Sequence, residues 1–342
     1  MYHNKVTIIV LNWNGKKDTL ECLESIHKID YQNFNVIVVD NGSTDDSVKV
    51  IQQKFPKIYV LETGENLGYA GGNNYGMRYA INNGADYILL LNNDVIVHPQ
   101  LIKNFIEATL RVSPWAIFAA KIYYFTQPEK IWYAGARRIK STAHFMHMGQ
   151  GSVDSGNQFN ALKETDYACG CAIFFYKGVI DKVGMFDEKF FLTYEEADFC
   201  YRAKKIGIRS YVVPGAKIWH KVSISFGGEE SALFRYFISR NKLLWAEKNL
   251  PFFQRILVYI FAFKELLRIL IPPFKLNMDN DISFIKKMYR SLNEYKDSLI
   301  KNYNDPIRKA KIYGFRDYFF RRFGNCSESV KLIGTKLFCV AK

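Results

Sequence analysis

The fold is decided by the stretches Val6–Gly15, VTIIVLNWNG, and Phe34–Ser43, FNVIVVDNGS. In each stretch a run of Val, Ile and Leu ends abruptly in polar residues. Such runs are typical of parallel strands, because both faces of a parallel sheet are covered. Ile58–Glu62 and Tyr87–Leu91 have the same character. We therefore predict four strands of one parallel sheet, at Val6–Asn12, Phe34–Asp40, Ile58–Glu62 and Tyr87–Leu91.

Four further segments have the apolar spacing of amphipathic helices. Ser43-Thr44-Asp45 precedes the second of them and predicts its N-terminal cap, and Pro99 suits the first turn of the fourth. This alternation predicts an α/β fold with a Rossmann-like, mostly parallel sheet flanked by helices. The predicted helices are Lys16–Lys28, Asp45–Phe55, Ala70–Asn83 and Pro99–Arg111.

Polar residues follow three of the predicted strands at the point where each strand ends. They are Asn12-Trp13-Asn14, Asp40–Ser43 and Asn92-Asn93-Asp94. Ligands of open α/β sheets bind beyond the carboxyl ends of the strands. We therefore expect these three clusters to converge on one edge of the sheet.

The pattern is less regular from residue 116 to about residue 222, and we assign this part to the same domain. The chain then becomes helical, aromatic and basic, which predicts a domain of residues 1–227 and a helical region of residues 228–342. Within the irregular part we predict a loop at Ser141–Gly156, an apolar segment at Cys169–Tyr176, a helix at Glu195–Lys205 and a strand at Ser210–Val213.

The charge of the chain is unevenly distributed. Of its 342 residues 49% are hydrophobic and 23% are charged, which excludes a disordered or fibrous protein. Residues 1–230 hold 25 Lys and Arg against 24 Asp and Glu, whereas residues 231–342 hold 22 against 9. The net charge of +14 therefore comes almost entirely from the last third of the chain.

The six cysteines are thinly spread along the chain, and this favours free thiols in a reducing compartment. Cys169 and Cys171 do not complete a zinc site, because such a site needs four ligands. No run reaches the ~18 apolar residues of a membrane span, and Val6–Leu11 is too short for the core of a signal peptide. We therefore expect a cytoplasmic protein.

Two common nucleotide-binding motifs are absent from the sequence. Asn12–Lys17 stands where a dinucleotide-binding enzyme has Gly-x-Gly-x-x-Gly, and no phosphate-binding Gly-x-x-x-x-Gly-Lys-Ser/Thr occurs. This argues against nicotinamide enzymes and nucleoside triphosphatases. The Gly-rich run Asn66–Asn74 does enter a predicted helix, where close backbone approach and free amides suit a nucleotide.

Asp40, Asp94 and His220 each allow a functional and a structural interpretation. Asp40 follows a strand and can accept a hydrogen bond from a ribose hydroxyl or a base, or cap the helix after Thr44. Asp94 suits Mg²⁺ or Mn²⁺, or it lies in a solvated turn. A single carboxylate binds a metal poorly, and His220 is the candidate second ligand. A histidine in such a strand-like segment is also typical of a protein core.

Glu195, Glu196 and Asp198 crowd three carboxylates behind the aromatic run Phe190–Tyr194. At a helix start they stabilise the positive end of the dipole, which is the structural interpretation. Partial burial and like charges also raise a carboxyl pKa toward the range that a general base needs. The cluster is therefore a candidate for deprotonating a hydroxyl group.

Taken together, these segments resemble the family 2 inverting glycosyltransferases of the A-type fold, particularly their rhamnosyltransferase-like branch. Eight matches occur in the same order and cover roughly residues 5–245. They are VLNWNG, VIVVDNGSTDDS, ENLGYAGGNNYG, LLLNNDV, VGMFDEKFF, YEEADFCYR, WHKVSISFG and SRN.

The resemblance implies a role for each matching residue. Glu196 corresponds to the catalytic carboxylate, with Glu195 as the second candidate base. Asp94 corresponds to the metal-binding end of an Asp-x-Asp motif whose first position is Asn92 here. The implied metal ligands are therefore Asp94, His220 and the donor diphosphate, with Mg²⁺ or Mn²⁺ as the ion. The implied donor-binding residues are Asn12, Asn14, Asp40, Asn66, Gly68, Gly71, Asn73, Asn74, Asn92, Asn93 and Arg240.

The implied reaction is an inverting transfer of a sugar from a nucleotide-diphosphate sugar to a glycan or a lipid-linked glycan in surface polysaccharide synthesis. The similarity favours dTDP-L-rhamnose as the donor, with UDP-hexoses next. The alternative is a non-catalytic domain that binds a nucleotide sugar, or a basic module that docks a partner. A nucleotidyltransferase is a more distant alternative, because no Gly-rich, Arg-bearing loop follows the first strand.

The C-terminal region offers two further candidates. Arg240 matches a helix of the same family and could reach a phosphate, or it is a surface cation on an amphipathic helix. Phe252–Ile271 is amphipathic, with Gln254, Lys264, Glu265 and Arg268 on one side. It either packs on the catalytic domain or docks on an anionic membrane, which would place the protein peripherally on the inner face of the cell membrane. Nucleic acid is not expected as a partner, because no binding motif supports it.

Overall fold

A computed structural model describes residues 4–156, 158–222, 231–271 and 284–338. The described chain forms two compact units. The first holds the residues up to Val222 except Lys140–Ala143, and the second holds Lys140–Ala143 together with the residues from Ser231 onward. The boundary expected near Gly227-Gly228 and the end of the WHKVSISFG motif lie outside the described residues.

The N-terminal half of the first unit confirms the predicted alternation of strands and helices. One element was not predicted, the short strand β5, which begins directly after Asp94. The elements are β1 (Val6–Asn12), α1 (Lys16–Ile26), β2 (Phe34–Asp40), α2 (Ser47–Lys54), β3 (Tyr59–Glu62), α3 (Gly68–Asn82), β4 (Tyr87–Asn92), β5 (Val95–Val97) and α4 (Leu101–Arg111).

The second half of this unit completes the sheet. Its elements are β6 (Ile117–Tyr124), β7 (Ile131–Tyr133), β8 (Ala136–Ile139), β9 (His144–His147), β10 (Lys163–Thr165), β11 (Ala172–Tyr176), α5 (Gly178–Val183), α6 (Glu195–Lys205) and β12 (Ser210–His220). Helix α6 has the predicted bounds. Strand β12 continues beyond the predicted Val213, past a register shift, as far as His220.

The expected loop at Ser141–Gly156 is wrong in one part. Residues His144–His147 form β9, which pairs with β8 as a separate two-stranded antiparallel sheet. This pairing has no clear sequence signal, because β9 has no buried residue and so lacks the apolar alternation of a half-buried strand.

The main sheet has the strand order β10-β12-β6-β11-β4-β1-β2-β3. Parallel pairing joins β3, β2, β1 and β4, whereas β11 lies antiparallel between β4 and β6. The register places Asn12 opposite Asp40, and Leu11 opposite Asn92. The strand ends therefore meet at one edge, as the sequence predicted.

Both faces of the sheet are covered by apolar packing. Strands β1 and β4 are buried along almost their whole length. The rings of Tyr87, Phe174 and Phe105 stack in series, with centroids 5.0 Å and 4.9 Å apart. This packing holds β4 and β11 rigidly beneath the polar edge.

The second unit is helical. Its helices are α7 (Ala232–Asn249), α8 (Phe252–Leu270), α9 (Phe284–Asn304), α10 (Pro306–Phe319) and α11 (Glu328–Phe338). Ser231 and Asp305 cap α7 and α10 by accepting hydrogen bonds from Phe234 N and Arg308 N. In the part of the chain that the structure describes, no helix has the length and apolarity needed to cross a bilayer.

Candidate active site

A buried polar network joins the ends of β1, β2 and β4. The Nδ2 of Asn12 donates to Asp40 Oδ1 at 2.7 Å, and its Oδ1 accepts from Thr19 Oγ1 at 2.7 Å. The Nδ2 of Asn93 donates to the same Thr19 Oγ1 at 2.9 Å. Because Asn12, Asp40 and Asn93 are all buried, this network orders the strand ends into one polar wall.

Asp40 does not cap a helix, which corrects its structural interpretation. Its Oδ2 accepts from Ser43 N at 3.0 Å, whereas α2 begins only at Ser47 and has Asp46 as its N-cap. Asn14 holds the same turn from the other side, since its Oδ1 accepts from Thr44 N at 2.8 Å. The expected cap at Ser43-Thr44-Asp45 is therefore a turn that precedes the helix.

The Gly-rich run forms the start of α3. The side chain of Asn41 binds its first residues with both polar atoms, because its Oδ1 accepts from Leu67 N at 3.0 Å and its Nδ2 donates to Gly68 O at 3.1 Å. Asn66 Oδ1 accepts from Gly68 N at 2.8 Å. These bonds hold the helix N-terminus next to the end of β2.

The last two asparagines of this run, Asn73 and Asn74, are buried and have different surroundings. Asn74 is fully engaged, since its Nδ2 donates to Phe186 O at 2.9 Å and its Oδ1 accepts from Phe186 N at 3.0 Å. Asn73 donates to Tyr69 O at 2.9 Å, but its buried Oδ1 has no hydrogen-bond partner. Asn74 therefore has a structural role, and Asn73 retains an acceptor for a ligand.

Gly68 is required by its conformation and by its neighbours. Its φ is +73°, and a Cβ at this position would lie 2.3 Å from the carbonyl oxygen of Phe191. We expect Gly68→Ala to lower the free energy of unfolding by at least about 2 kcal/mol, because the strain and the clash add. Urea denaturation followed by circular dichroism measures this loss.

Gly64 provides the matched control for this substitution. Its φ is +80°, but a Cβ there would meet no atom within 4 Å. Gly64→Ala should therefore cost only the conformational strain, about 1 kcal/mol. Equal losses in the two variants would show that the approach of Phe191 is unimportant.

Asp94 and His220 form a buried pair at the same edge of the sheet. His220 Nε2 lies 3.3 Å from Asp94 Oδ2, and the other oxygen of Asp94 is buried without a hydrogen-bond partner. Burial by itself raises the pKa of Asp94, but His220, a backbone hydrogen bond and the charge of Lys221 together hold the pKa of that carboxyl below its usual range. Asp94 is therefore ionised at neutral pH.

Lys221 holds this pair in place. Its backbone N–H donates to Asp94 O at 3.0 Å, and its Nζ forms ion pairs with Asp18 at 2.6 Å and with Glu21. Because the last residue of β12 precedes Lys221 directly, these contacts position His220 against Asp94.

Cys171 connects the pair to the rest of the site. Its Sγ lies 3.7 Å from His220 Nδ1, from Cys169 Sγ and from Asn92 Nδ2. The preceding residue, Gly170, lies close to Glu196, since a Cβ at Gly170 would be 3.4 Å from Glu196 Oε1. The segment Cys169–Cys171 therefore lies between the Asp94–His220 pair and the acidic cluster.

The acidic cluster follows a strained segment of backbone. Phe191, Thr193 and Tyr194 have φ values of 64°, 66° and 74°, in the left-handed region that favours glycine. Each non-glycine residue held there costs of order 1–3 kcal/mol, and such strain is concentrated at functional sites. The segment ends at the first residue of α6, so it sets the direction in which Glu195 and Glu196 project.

Glu195 and Glu196 behave as a coupled pair. Burial and the neighbouring Glu196 raise the pKa of Glu195 well above its usual range. Burial also raises the pKa of Glu196, although backbone N–H groups and the side chain of Glu195 oppose the shift by hydrogen bonding. The upward pKa shift is the stronger for Glu195, so Glu196 is the stronger candidate for the base.

A free acceptor remains on each of these carboxyl groups. The Oε2 atoms of Glu195 and Glu196 are both buried without a hydrogen-bond partner. Asp198, the third acidic residue, is instead paired with Arg202 at 2.7 Å. Asp198 therefore stabilises the helix, whereas the unpartnered oxygen of Glu196 is a candidate acceptor for a proton.

Tyr69 connects the Gly-rich helix to the acidic cluster. Its hydroxyl donates to Gly170 O at 2.6 Å. Burial, followed by the charges of Glu196 and Glu195, raises the pKa of Tyr69 well above its usual range. It therefore stays neutral and acts as a hydrogen-bond donor that holds Gly170 in place.

Aromatic and histidine side chains form one wall near His220. The ring of Trp132 meets His220 edge-on at 4.8 Å and His147 at 4.6 Å. Its indole N–H is buried without a partner. Burial lowers the pKa of His147 to about 4, so this ring is neutral, and its Nε2 lies 2.6 Å from the hydroxyl of Tyr167.

Asp94 and His220 fit a divalent cation as two ligands of an incomplete set. A carboxylate oxygen and an imidazole suit Mn²⁺, and the carboxylate suits Mg²⁺. The orphaned Oδ1 of Asp94 is an acceptor with no protein donor. Within the described ranges no group of three or more His, Cys, Asp or Glu could hold a metal ion. The remaining ligands would therefore have to come from the substrate and water.

Arg240 lies in the second unit and is fully buried there, so its interpretation as a surface cation is wrong. Its Nη1 donates to Gly324 O at 2.8 Å and its Nε donates to Asn241 Oδ1 at 2.9 Å. Its guanidinium also lies over the rings of Tyr236 and Phe237. The role in phosphate binding remains a prediction.

The structure brings most of the predicted residues of the first unit together through contacts between neighbours. Asp40 connects to Asn93 through Asn12, and Asp94 connects to Glu196 through Gly170 and Cys171. Gly71 packs within α3 against Leu67, where a Cβ would lie at 2.7 Å. The sequence analysis missed Tyr69, Trp132, His147, Cys171 and Lys221. Only Lys221, directly after His220, had a sequence signal.

The chain is similar to several known proteins. The family described as "Glycosyl transferase family 2" matches residues 7–183. A hexosyltransferase of low-salt glycan biosynthesis, Agl10 of Haloferax volcanii, is 25% identical over 244 residues, which cover 70% of this chain and 74% of that protein. The dTDP-rhamnosyl transferase RfbF of Shigella flexneri is 25% identical over 256 residues, covering 72% and 81%.

A solved structure shares the fold. It is the mannosyltransferase PcManGT of Pyrobaculum calidifontis in complex with GDP-Man and Mn²⁺. The TM-score is 0.55 at 14% identity, and the match covers 94% of this chain and 89% of that chain. At this identity the likeness establishes a common A-type fold and nothing about the substrates.

Proposed function

Because this chain belongs to glycosyl transferase family 2, we propose that it moves a sugar from a nucleotide-diphosphate sugar to a glycan or a lipid-linked glycan, with inversion at the anomeric carbon. One observation carries this proposal. The segment Gly170–Cys171 lies next to both the Glu195–Glu196 pair and the Asp94–His220 pair, since a Cβ at Gly170 would be 3.4 Å from Glu196 Oε1 and Cys171 Sγ is 3.7 Å from His220 Nδ1. A base and a site for a charged leaving group are thus neighbours.

Glu196 is the proposed general base. Its free carboxylate oxygen takes the proton of the acceptor hydroxyl while that hydroxyl oxygen forms the new bond to the anomeric carbon. The bond from that carbon to the diphosphate breaks on the opposite face, and the nucleoside diphosphate leaves with the electron pair. General-base assistance of this kind is worth ~10²–10⁴-fold in rate.

Glu195 is proposed to position the base. Its burial and retained proton allow it to donate to Glu196, which keeps Glu196 ionised and oriented. The strained backbone of Phe191–Tyr194 fixes the pair, so little reorganisation is needed when the acceptor arrives.

Asp94 and His220 are proposed to hold Mg²⁺ or Mn²⁺ together with the donor diphosphate. When bound there, the ion would neutralise charge that builds on the departing diphosphate. Lys221 supports both residues through its contact with Asp94 O. PcManGT, which shares the fold, was solved in complex with GDP-Man and Mn²⁺, and this supports a divalent ion.

The polar wall of Asn12, Asp40 and Asn93 and the start of α3 are proposed to bind the nucleotide. Asp40 would accept from the nucleobase, and Asn73 would supply its unpaired acceptor to the donor. The proposed donor is dTDP-L-rhamnose, with a UDP-hexose second. The similarity to the dTDP-rhamnosyl transferase RfbF supports this order.

We also propose a cytoplasmic location. The described cysteines Cys22, Cys169, Cys171, Cys200 and Cys326 are free and buried, which supports a reducing compartment. A nucleotide-sugar donor and a lipid-linked acceptor would then meet the enzyme at the inner face of the membrane.

A donor panel tests the proposed function. In the presence of Mn²⁺, dTDP-L-rhamnose should raise the melting temperature more than UDP-hexoses, since a ligand at 100 times its Kd adds about 2.7 kcal/mol of stability. Release of the nucleoside diphosphate should then require an acceptor or water. Binding of a donor with no sugar release under any condition would instead support the non-catalytic alternative.

A further inference from the structure

The charged side chain of Glu265 on helix α8 faces the neighbouring helices α7 and α10. Glu265 forms ion pairs with Lys242 and, at 3.0 Å, with Lys311. The hydroxyls of Tyr259 and Tyr318 lie 2.7 Å apart. Helix α8 is therefore attached to α7 and α10 largely through polar side chains.

The outward face of α8 is apolar. Only Val258, Ala262 and Ile269 of its residues are buried. The exposed fraction of the outward apolar residues ranges from 36% for Ile256 to 80% for Phe253. A surface helix normally has the reverse arrangement, with its apolar stripe facing the core. The outward residues are Phe252, Phe253, Ile256, Leu257, Ile260, Phe261, Phe263, Leu267, Leu270 and Ile271.

A second exposed feature lies at the end of α10. Phe319 and Phe320 are each 67% exposed, and Arg321 and Arg322 follow them with exposed side chains. The adjacent Tyr318 makes the hydroxyl contact with Tyr259 of α8. The second unit therefore has exposed aromatic rings next to cations both on α8 and at the end of α10, and the Tyr259–Tyr318 contact joins these two helices.

We propose that the outward face of α8 and Phe319–Arg322 dock on an anionic lipid bilayer. Apolar side chains flanked by Lys and Arg are what an interfacial helix uses, since the apolar face enters the headgroup boundary and the cations meet anionic lipids. Lys264 and Arg268 are exposed on α8 itself. Residues 231–342 carry a net charge of +13, which is opposite in sign to the charge of an anionic bilayer.

A second copy of the chain is the less favourable occupant of this face. Two such faces in contact would bring Lys264 and Arg268 of one copy toward the same cations of the other, and like charges repel. An anionic bilayer instead compensates these charges while it covers the apolar side chains. The charge of the unit therefore favours lipid.

Co-sedimentation of the full chain with vesicles tests the proposal. We expect the chain to bind vesicles of phosphatidylcholine mixed with phosphatidylglycerol and to dissociate from them as the salt concentration is raised. It should not bind vesicles of pure phosphatidylcholine. The triple variant Phe253→Ser, Leu257→Ser, Phe263→Ser should lose at least about tenfold in partitioning. Lys264→Gln with Arg268→Gln should lose about fivefold per cation.

Matched controls come from the other unit. Leu110 is 70% exposed, and Lys49 and Lys57 lie on the surface. Leu110→Ser and the pair Lys49→Gln, Lys57→Gln should therefore leave vesicle binding unchanged. All these positions are on the surface, so circular dichroism should show that every variant is folded.

Two results would overturn the proposal. One is a chain that stays in the supernatant with anionic vesicles at physiological salt. The other is self-association of the unmodified chain, seen by sedimentation velocity, that is lost in the α8 triple variant while this variant still binds vesicles. Because vesicle binding is measured without a donor, its outcome is independent of the proposed transfer reaction.

Discussion

Replacing Glu196 by Gln should lower kcat for sugar transfer by about 10²–10⁴-fold and leave the affinity for the donor nearly intact. The amide keeps the size of the side chain but cannot accept the proton of the attacking hydroxyl. Stopped assays of nucleoside diphosphate release give kcat, and calorimetric titration gives the affinity for the donor. Ordinary turnover in Glu196→Gln would remove this residue from the role of base.

Glu195 allows a sharper test of the same assignment. Because burial raises the pKa of Glu196, kcat should fall as the pH drops through that raised pKa, above the range of an ordinary carboxyl. Glu195→Gln still donates a hydrogen bond, so the pH at which kcat falls should stay nearly the same. Glu195→Ala removes the hydrogen-bond donor that opposes the rise in the pKa of Glu196. The fall in kcat should therefore occur at higher pH in this variant.

Glu129→Gln is the matched control for these glutamate variants. Glu129 is exposed and lies between β6 and β7, away from the acidic cluster on α6. Its substitution should change neither kcat nor the pH profile. An identical pH profile in Glu195→Ala and the unmodified chain would exclude a positioning role for Glu195.

Asp94→Asn should lower kcat by about 10²–10³-fold, because Asp94 is the one carboxylate among the proposed protein ligands of the cation. His220→Ala should have a smaller effect of the same kind. Direct titration with Mn²⁺ in the presence of a nucleoside diphosphate should show an affinity at least about tenfold weaker for each variant. This readout does not depend on turnover.

Asp46→Asn is the control for the metal experiment. Asp46 also pairs with a cation, since its Oδ1 lies 2.7 Å from Lys16 Nζ, but this pair is exposed. Its substitution should leave the Mn²⁺ affinity unchanged. Activity that survives exhaustive chelation and persists in His220→Ala would remove Asp94 and His220 from metal binding.

The positions of the strands in the first half of the chain were predictable because their signals are local. Val6–Asn12 and Phe34–Asp40 have the predicted bounds, since a buried parallel strand ends where its apolar run gives way to polar Asn or Asp. The convergence of Asn12, Asp40 and Asn93 followed from the geometry of parallel strands, whose carboxyl ends meet at one edge.

Other features depend on contacts between distant residues. Strand β5 exists because Val95–Val97 pairs with the end of β12, more than a hundred residues away. The left-handed run at Phe191–Tyr194 contains no glycine, so its sequence does not indicate the strain. Arg240 was predicted on a helix, but its burial depends on where α10 and the following turn lie.

The sequence alone determined the order of strands and helices, the polar strand ends and the presence of an apolar stripe on α8, because each depends on the chemistry of residues close together in the chain. Only the tertiary structure decided that Gly170 and Cys171 join Asp94 to Glu196 and that the α8 stripe faces outward. Periodicity shows that one side of a helix is apolar, but which side is covered depends on the ion pairs and packing of its neighbours.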